Sequence, residues 1–188
     1  MSSRKKGEYG YLKKVKKQDL IKLAAYFLVA FTIFVIGLFL NKMSYKNAFT
    51  IVAILFVLPW ARIMVEYILL FPYDSPSLEM YEQVCKKLPK DATLASDVVI
   101  TSEKKAMGLD FLIIGNGYVY GLANGKKENV NEIKNYLETG IKKWSSEYKV
   151  TIFSEMNVME RNLSQVKERE IDTSKREEVE KFLYSLMV

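Results

Sequence analysis

Residues 48–77 read AFTIVAILFVLPWARIMVEYILLFPYDSPS, an apolar run interrupted near its end by two charges, Arg62 and Glu66. The 14 uncharged residues from Ala48 to Ala61 would make about 21 Å of helix at ~1.5 Å per residue, short of a ~30 Å hydrocarbon core. Continued to Phe71, the run is ample. Arg62 and Glu66 are four positions apart and can share one helical face. A charge at the bilayer centre costs at least ~2.5–3.5 kcal/mol and marks function by default. Here, however, Trp60 precedes the pair, and Trp favours the lipid–water interface, while Arg extends its charge toward headgroups along its own apolar stem. Trp60, Arg62 and Glu66 are therefore read as a membrane boundary rather than a buried functional pair. The segment IMVEYILLF then continues as an interfacial or domain-contacting piece.

Working outward, residues 20–40, LIKLAAYFLVAFTIFVIGLFL, are uncharged for 18 residues from Leu23 to Leu40, close to the ~20 that span a bilayer. No small-x-small cleavage site follows, and a second apolar run arrives at once, so the segment reads as a retained helix rather than a signal peptide. The link NKMSYKN is short enough to make the two runs a hairpin, spanning about 20–40 and 48–71. Seven basic residues precede the first run (Arg4, Lys5, Lys6, Lys13, Lys14, Lys16, Lys17), whereas the link holds two, Lys42 and Lys46. The positive-inside rule then places both termini in the cytoplasm of a two-span protein of the cell (plasma) membrane.

The net charge of +6 divides unevenly: residues 1–71 carry +8 and residues 72–188 carry −2. The excess positive charge lies beside the apolar runs, where each Lys or Arg gains about 1 kcal/mol from anionic lipid headgroups. The remainder lacks the basic footprint of phosphate-backbone binding, so no nucleic-acid partner is expected. Cys85 is the only cysteine, and histidine is absent. That removes an intrachain disulfide, His-based acid–base chemistry, Ser-His triads and the usual zinc sites.

Three parts result: a basic segment 1–19, the hairpin 20–71, and a domain 72–188. The proline-rich FPYDSPS marks the boundary of the last. Within it, Ser77 to Pro89 predicts a helix with Leu78, Tyr81, Val84, Cys85 and Leu88 on one face, which makes Cys85 a small core residue. Strands are predicted at 97–101, 111–114 and 118–123. The Gly115-Asn116-Gly117 turn joins the last two as a hairpin, because both central residues accept positive φ. Asn129 and Glu132 form a capping-box pattern ahead of an apolar stripe: Val130, Ile133, Leu137, Ile141 and Trp144. A strand at 149–153 follows, then a segment 157–167 open between helix and loop, then a helix opened by Ser174 and Glu177. The fold class is thus a membrane α-helical hairpin followed by a small α/β domain, a mixed sheet covered by helices.

Candidate chemistry is sparse. Gly115, Gly117 and Gly121 mimic a phosphate loop, but strand residues follow where a nucleotide fingerprint needs a helix. Ser102-x-x-Lys105 has the spacing of a serine–lysine pair, yet the accompanying Ser-Asp-Asn and Lys-Thr-Gly elements are missing; a polar turn is the simpler reading. The order helix, three strands, helix, strand resembles the core of restriction-endonuclease-like proteins. That resemblance implies an Asp on one strand, where Asp110 stands, and Glu-x-Lys on the next, where Tyr118-Val119-Tyr120 stands with no acid. Asp97, Glu103 and Asp110 are the remaining carboxylates that could meet a divalent ion. Tyr118 and Tyr120 are read as either a stacking face or cross-strand packing. The charge run from Glu168 to Glu180 is read as solvated surface.

At FTIVAILFVLPWARIMV, with TSEKK and YVYGL further on, the chain resembles functionally uncharacterised small two-span membrane proteins of Gram-positive anaerobic bacteria. The resemblance implies an anchored cytoplasmic domain and transfers no catalytic residue. The function expected is a membrane-anchored module for protein binding or self-assembly, with no catalysis and no cofactor. The alternatives are a ligand-gated membrane effector or transport-related assembly, and a degenerate nuclease-like or metal-dependent enzyme.

Overall fold

The computed structural model describes residues 5–102, 105–125, 128–166 and 172–188. They divide into two compact units, one of residues 13–72 and one that joins the residues up to Leu12 to Tyr73–Val188.

The first unit holds α1 (Tyr11–Leu40), α2 (Ala48–Leu55) and α3 (Val57–Leu70). Helix α1 begins well before the apolar run, because the residues between Tyr11 and Leu20 include no helix breaker and several good formers. Its first two residues belong to the other unit. The second apolar run is split at Phe56, three residues before Pro59, whose missing N–H leaves the Leu55 carbonyl without its helical donor. Lys42 and Met43 turn the chain with φ of 50° and 61°. Asn47 then ties the turn together: its amide donates to the carbonyls of Ser44 (2.7 Å) and Gly37 (3.3 Å), and its Oδ1 accepts from the Thr50 amide at 2.9 Å. That last bond is the N-cap of α2.

The second unit is a four-stranded sheet in the order β1 (Thr93–Thr101), β2 (Ala106–Gly115), β3 (Tyr118–Ala123), β4 (Lys149–Phe153). The first two pairings are antiparallel and the third is parallel, so the sheet is mixed. Helix α5 (Val130–Lys142) makes the crossover that a parallel pairing requires. On one face Ile133, Leu137 and Ile141 of α5 and Val179 and Leu183 of α7 (Thr173–Leu186) cover Val98, Leu109, Leu112 and Val119. On the other, Val84 of α4 (Leu78–Lys87) and Met159 and Leu163 of α6 (Met156–Gln165) cover Phe111, Ile113, Leu122 and Phe153. The segment left open between helix and loop is thus helix α6. The outer edge of β1 is also covered: the Ser96 amide donates to the Gly7 carbonyl (2.9 Å) and the Val188 amide to the Val99 carbonyl (3.0 Å).

Several local expectations change. Cys85 is exposed, because Val84 alone of α4 is fully buried and Tyr81, Leu88 and Met80 pack beside it. Leu78 and Trp144 also face outward, at 56% and 49% exposure: Leu78 is the first residue of α4, and Trp144 lies two residues past the end of α5. At the hairpin turn only Gly117 takes a positive φ (84°); a positive φ at the second central residue alone is the type II pattern. The cap of α7 is Asp172, which accepts from the Ser174 amide at 3.2 Å. Ser174 itself lies inside the helix.

Candidate functional site

Two aspartates interrupt the regular sheet side by side. Asp97 stands in β1 with φ 55°, a left-handed conformation that a non-glycine residue holds only under constraint. Across from it, β2 bulges at Asp110: Leu109 pairs with Ala123 and Phe111 with Leu122, leaving Asp110 without a partner on β3. Ser96–Phe111 and Val98–Leu109 flank the two residues in the β1–β2 ladder. A bulge re-aims a side chain, and here both irregular positions carry carboxylates.

Asp97 is 3% exposed. Its carboxylate lies against the Ser75 hydroxyl and the amides of Leu12, Gly10 and Tyr11, without closing a hydrogen bond of good geometry to any of them. Burial raises its pKa, and those dipoles act in the opposite sense. Asp110 accepts from the Asn124 amide at 2.6 Å, and the same amide donates to the Asp74 carbonyl at 2.8 Å. Burial pushes the Asp110 carboxyl up to about 6; the Asn124 amide lowers it and the Asp97 charge raises it further. Next to the pair, Tyr73 covers Gly108 so closely that a Cβ there would overlap the ring. Tyr73 donates to the Ala106 carbonyl at 2.8 Å, and burial followed by the Glu128 carboxylate pushes it up to about 12. Glu128 in turn accepts from the Gly108 amide at 3.2 Å.

This arrangement bears on the metal reading. The carboxylate whose charge acts on Asp110 is Asp97 of β1, whereas the nuclease-like arrangement needs its second acid on β3. Glu103 lies outside the described residues. Among those described, no group of three or more His, Cys, Asp or Glu residues is placed to hold a metal ion.

The other candidates resolve into turns and packing. Ser102 Oγ donates to the Lys105 carbonyl (2.9 Å) and accepts from the Lys105 amide (3.2 Å). The Lys105 ammonium pairs instead with Glu132 at 2.8 Å, so hydroxyl and amine do not form a nucleophile–base pair. Tyr118 is buried beside Tyr120, with ring centroids 4.9 Å apart, and Tyr120 meets Phe153 edge-on at 5.3 Å. They are core packing, not an open stacking face. An open groove of about 810 Å³ runs along α5, lined by Asn129, Glu132, Asn135, Tyr136 and Lys143 with Ser102 at its end.

Arg62 and Glu66 are both exposed on α3, and Trp60 is half-buried. Among the described residues no ion pair joins Arg62 to Glu66. Glu66 lies instead within electrostatic reach of Lys22 of α1, whose ammonium pairs with the buried Asp19 at 2.9 Å. Lys16 of α1 donates to the Phe71 carbonyl at 3.0 Å. The charged positions of the two helices are therefore level with each other within this unit.

Sequence reasoning missed two features. One is the partnership of Asp97 and Asp110 with Ser75, Asn124 and the start of α1, which depends on a bulge that no residue pattern announces. The other is Arg176, in the run read as solvated surface: it reaches Glu180 (3.3 Å), Asn116 Oδ1 (3.2 Å) and Thr93 Oγ1 (3.3 Å), fastening α7 to the sheet. No family model, curated protein or solved structure matches this chain.

Proposed function

We propose that the chain is an integral protein of the cell membrane whose apolar hairpin anchors a cytoplasmic α/β domain, and that this domain binds protein partners or a second copy of itself. The observation that carries the reading is the uncovered apolar surface of the hairpin. Only 11% of the most apolar window of Tyr11–Leu40 and 6% of that of Ala48–Leu70 is buried by the protein's own fold. Water would penalise that surface by ~25 cal/mol per Å²; lipid would not. The sheet domain, in contrast, covers its own core on both faces.

The charged level supports the boundary reading of Trp60, Arg62 and Glu66. Leu23–Leu40 precedes the turn with 18 residues, about 27 Å of helix, and at the end of that distance Lys22 lies within electrostatic reach of Glu66. Beyond it, Lys13, Lys14, Lys16 and Lys17 of α1 lie where anionic headgroups would be met. The seven-to-two basic asymmetry supports cytoplasmic termini. The −2 charge of residues 72–188 favours protein over nucleic-acid partners.

Reporter fusions that fluoresce only in the cytoplasm should light after residue 188 and stay dark within 41–47. A dark carboxyl-terminal fusion of normal abundance overturns the topology. The mass of the detergent-solubilised protein tests self-assembly; a strict monomer that co-purifies with no partner removes that reading. A second reading, a ligand-gated membrane effector, draws on the polar groove along α5. A nuclease-like reading draws on the strand order alone.

A further inference from the structure

The outward face of α3 is not uniformly apolar. Leu58, Arg62 and Glu66 follow one another at intervals of four, the spacing of a ridge on a helix surface, with Ala61 and Val65 on the adjacent row. All five are exposed. Charged side chains on membrane helices almost always turn toward a protein partner. Among the described residues, however, Arg62 meets no hydrogen-bond or ion-pair partner. It does not pair with Glu66 along the helix, where base-before-acid is the weaker order for an i, i+4 pair. Glu66 lies within electrostatic reach of Lys22, but the Lys22 ammonium is bonded to Asp19 at 2.9 Å. A carboxylate accepts on two oxygens, so Glu66 has room for a second cation.

Depth adds to this. Arg62 stands four residues nearer the hairpin turn than Glu66, about 6 Å of helix, on the lipid side of the level that Lys22 and Glu66 share. Anionic headgroups suit the purely basic start of α1; on this ridge Glu66 repels them. What the ridge fits is a surface that also carries one charge of each sign.

We propose, on the anchoring and self-assembly reading given above, that α3 is the seam of a two-fold dimer in which Arg62 of each copy pairs with Glu66 of the other. A two-fold axis along the membrane normal apposes the same face of two copies, so that residue i meets j while j meets i. A ridge with one acid and one base is its own complement under that operation. Helical side chains tilt toward the helix start, which lowers the Glu66 carboxylate toward Arg62 of the other copy. The guanidinium, on its long stem, rises to meet it and can bind both carboxylate oxygens. Ala61 lets the backbones approach closely, and Leu58 and Val65, 69% and 63% exposed in one copy, pack along the seam.

The test uses the full chain in micelles of a neutral detergent. Donor and acceptor dyes are attached to separate samples at Cys85, the only cysteine and an exposed one. Energy transfer against the protein-to-detergent ratio gives the dimer dissociation constant. Arg62→Glu and Glu66→Arg should each weaken association about tenfold or more, since each sets like charges opposite one another twice. Mixed in equal amounts, the two variants should associate as tightly as the parent, because every apposed pair is then of opposite sign. The double variant should recover as well. Recovery in the double variant without recovery in the mixture would place the pair within one chain and overturn the seam. Association that requires added anionic lipid would assign Arg62 to headgroups and overturn it too. Should a reversed charge prevent folding, Arg62→Gln and Glu66→Gln replace it: each should weaken association, and the double change no further than either alone, whereas additive losses overturn the seam. A parent that stays monomeric at every ratio removes self-assembly and the seam together. A parent whose assembly ignores every one of these variants removes the seam alone.

Discussion

Gly37→Ala is a one-carbon change with a large expected effect on the hairpin. A Cβ at this position would overlap the Phe49 Cβ and come within 3.1 Å of Phe49 Cγ and of Asn47 Oδ1, against ~3.5–4.0 Å for comfortable carbon contacts. Neither neighbour can swing away: the Phe49 Cβ is fixed to the α2 backbone, and Asn47 is held by its cap to Thr50. The helices must part, and the bond from the Asn47 amide to the Gly37 carbonyl, already 3.3 Å long, is lost. Overpacking costs about 1–3 kcal/mol and the hydrogen bond a net ~0.5–1.5 kcal/mol, so a loss of about 2–4 kcal/mol is expected. Small residues where membrane helices approach closely are the usual seat of such sensitivity. The measurement is SDS titration of the detergent-solubilised protein, followed by Trp60 fluorescence in a Trp144→Phe background. The chain has only two tryptophans, and Trp144 is 49% exposed. Ile36→Ala, an exposed neighbour, should leave the SDS midpoint nearly unmoved. A midpoint for Gly37→Ala equal to that of the parent would refute the close approach of α1 and α2.

Leu137→Ala, at 0% exposure, should destabilise the sheet domain by about 2–5 kcal/mol. Trp144→Ala should cost less than ~1 kcal/mol despite the larger side chain; thermal melts compare them, and equal losses would mean that the stripe is buried to its end. Asp110→Asn should raise the melting temperature above pH ~6, where the penalty for ionising this carboxyl is complete. It should match the parent near pH 4, where the penalty has gone. Because Asp110 is partly exposed, the gain is on the order of 1 kcal/mol, and a melting temperature lowered at pH ~7.5 would contradict it. Ser102 should stay unlabelled by a fluorophosphonate probe, since its hydroxyl is engaged by the Lys105 backbone; labelling would revive the nucleophile.

How much was legible follows from which interactions are local. The apolar runs, the Ser77 and Asn129 caps, the turn at Asn116-Gly117 and the strand at Lys149–Phe153 depend on neighbours within a few residues, and each has a residue signature. The strand limits did not: β1 begins at Thr93, in a stretch whose strand conformation comes from pairing Thr93 with Ile114 and Leu94 with Ile113. Cys85 satisfied the helical period but not the geometry, because the covered stripe of α4 is only as wide as the sheet residues beneath Val84. The Asp97–Asp110 site was the least legible. A one-residue bulge leaves composition and periodicity nearly unchanged, yet beside it Asp97 lies against a helix start more than eighty residues away in sequence, and Asp110 against Asn124.

The outer edge of β1 has a consequence for the order of events during synthesis. Gly7 is made early, but Met187 and Val188, which pair with Ile100 and Val99, leave the ribosome some ninety positions after β1 itself. Throughout that interval, half of a β-branched edge (Val98, Val99, Ile100) has unpaired backbone donors and acceptors, the template on which chains join wrongly. The apolar hairpin, by contrast, is complete by residue 72. Under the anchoring proposed above it enters lipid first, and nascent chains are then held at the membrane, spaced apart in two dimensions, during the period when their sheets are most prone to pair with one another.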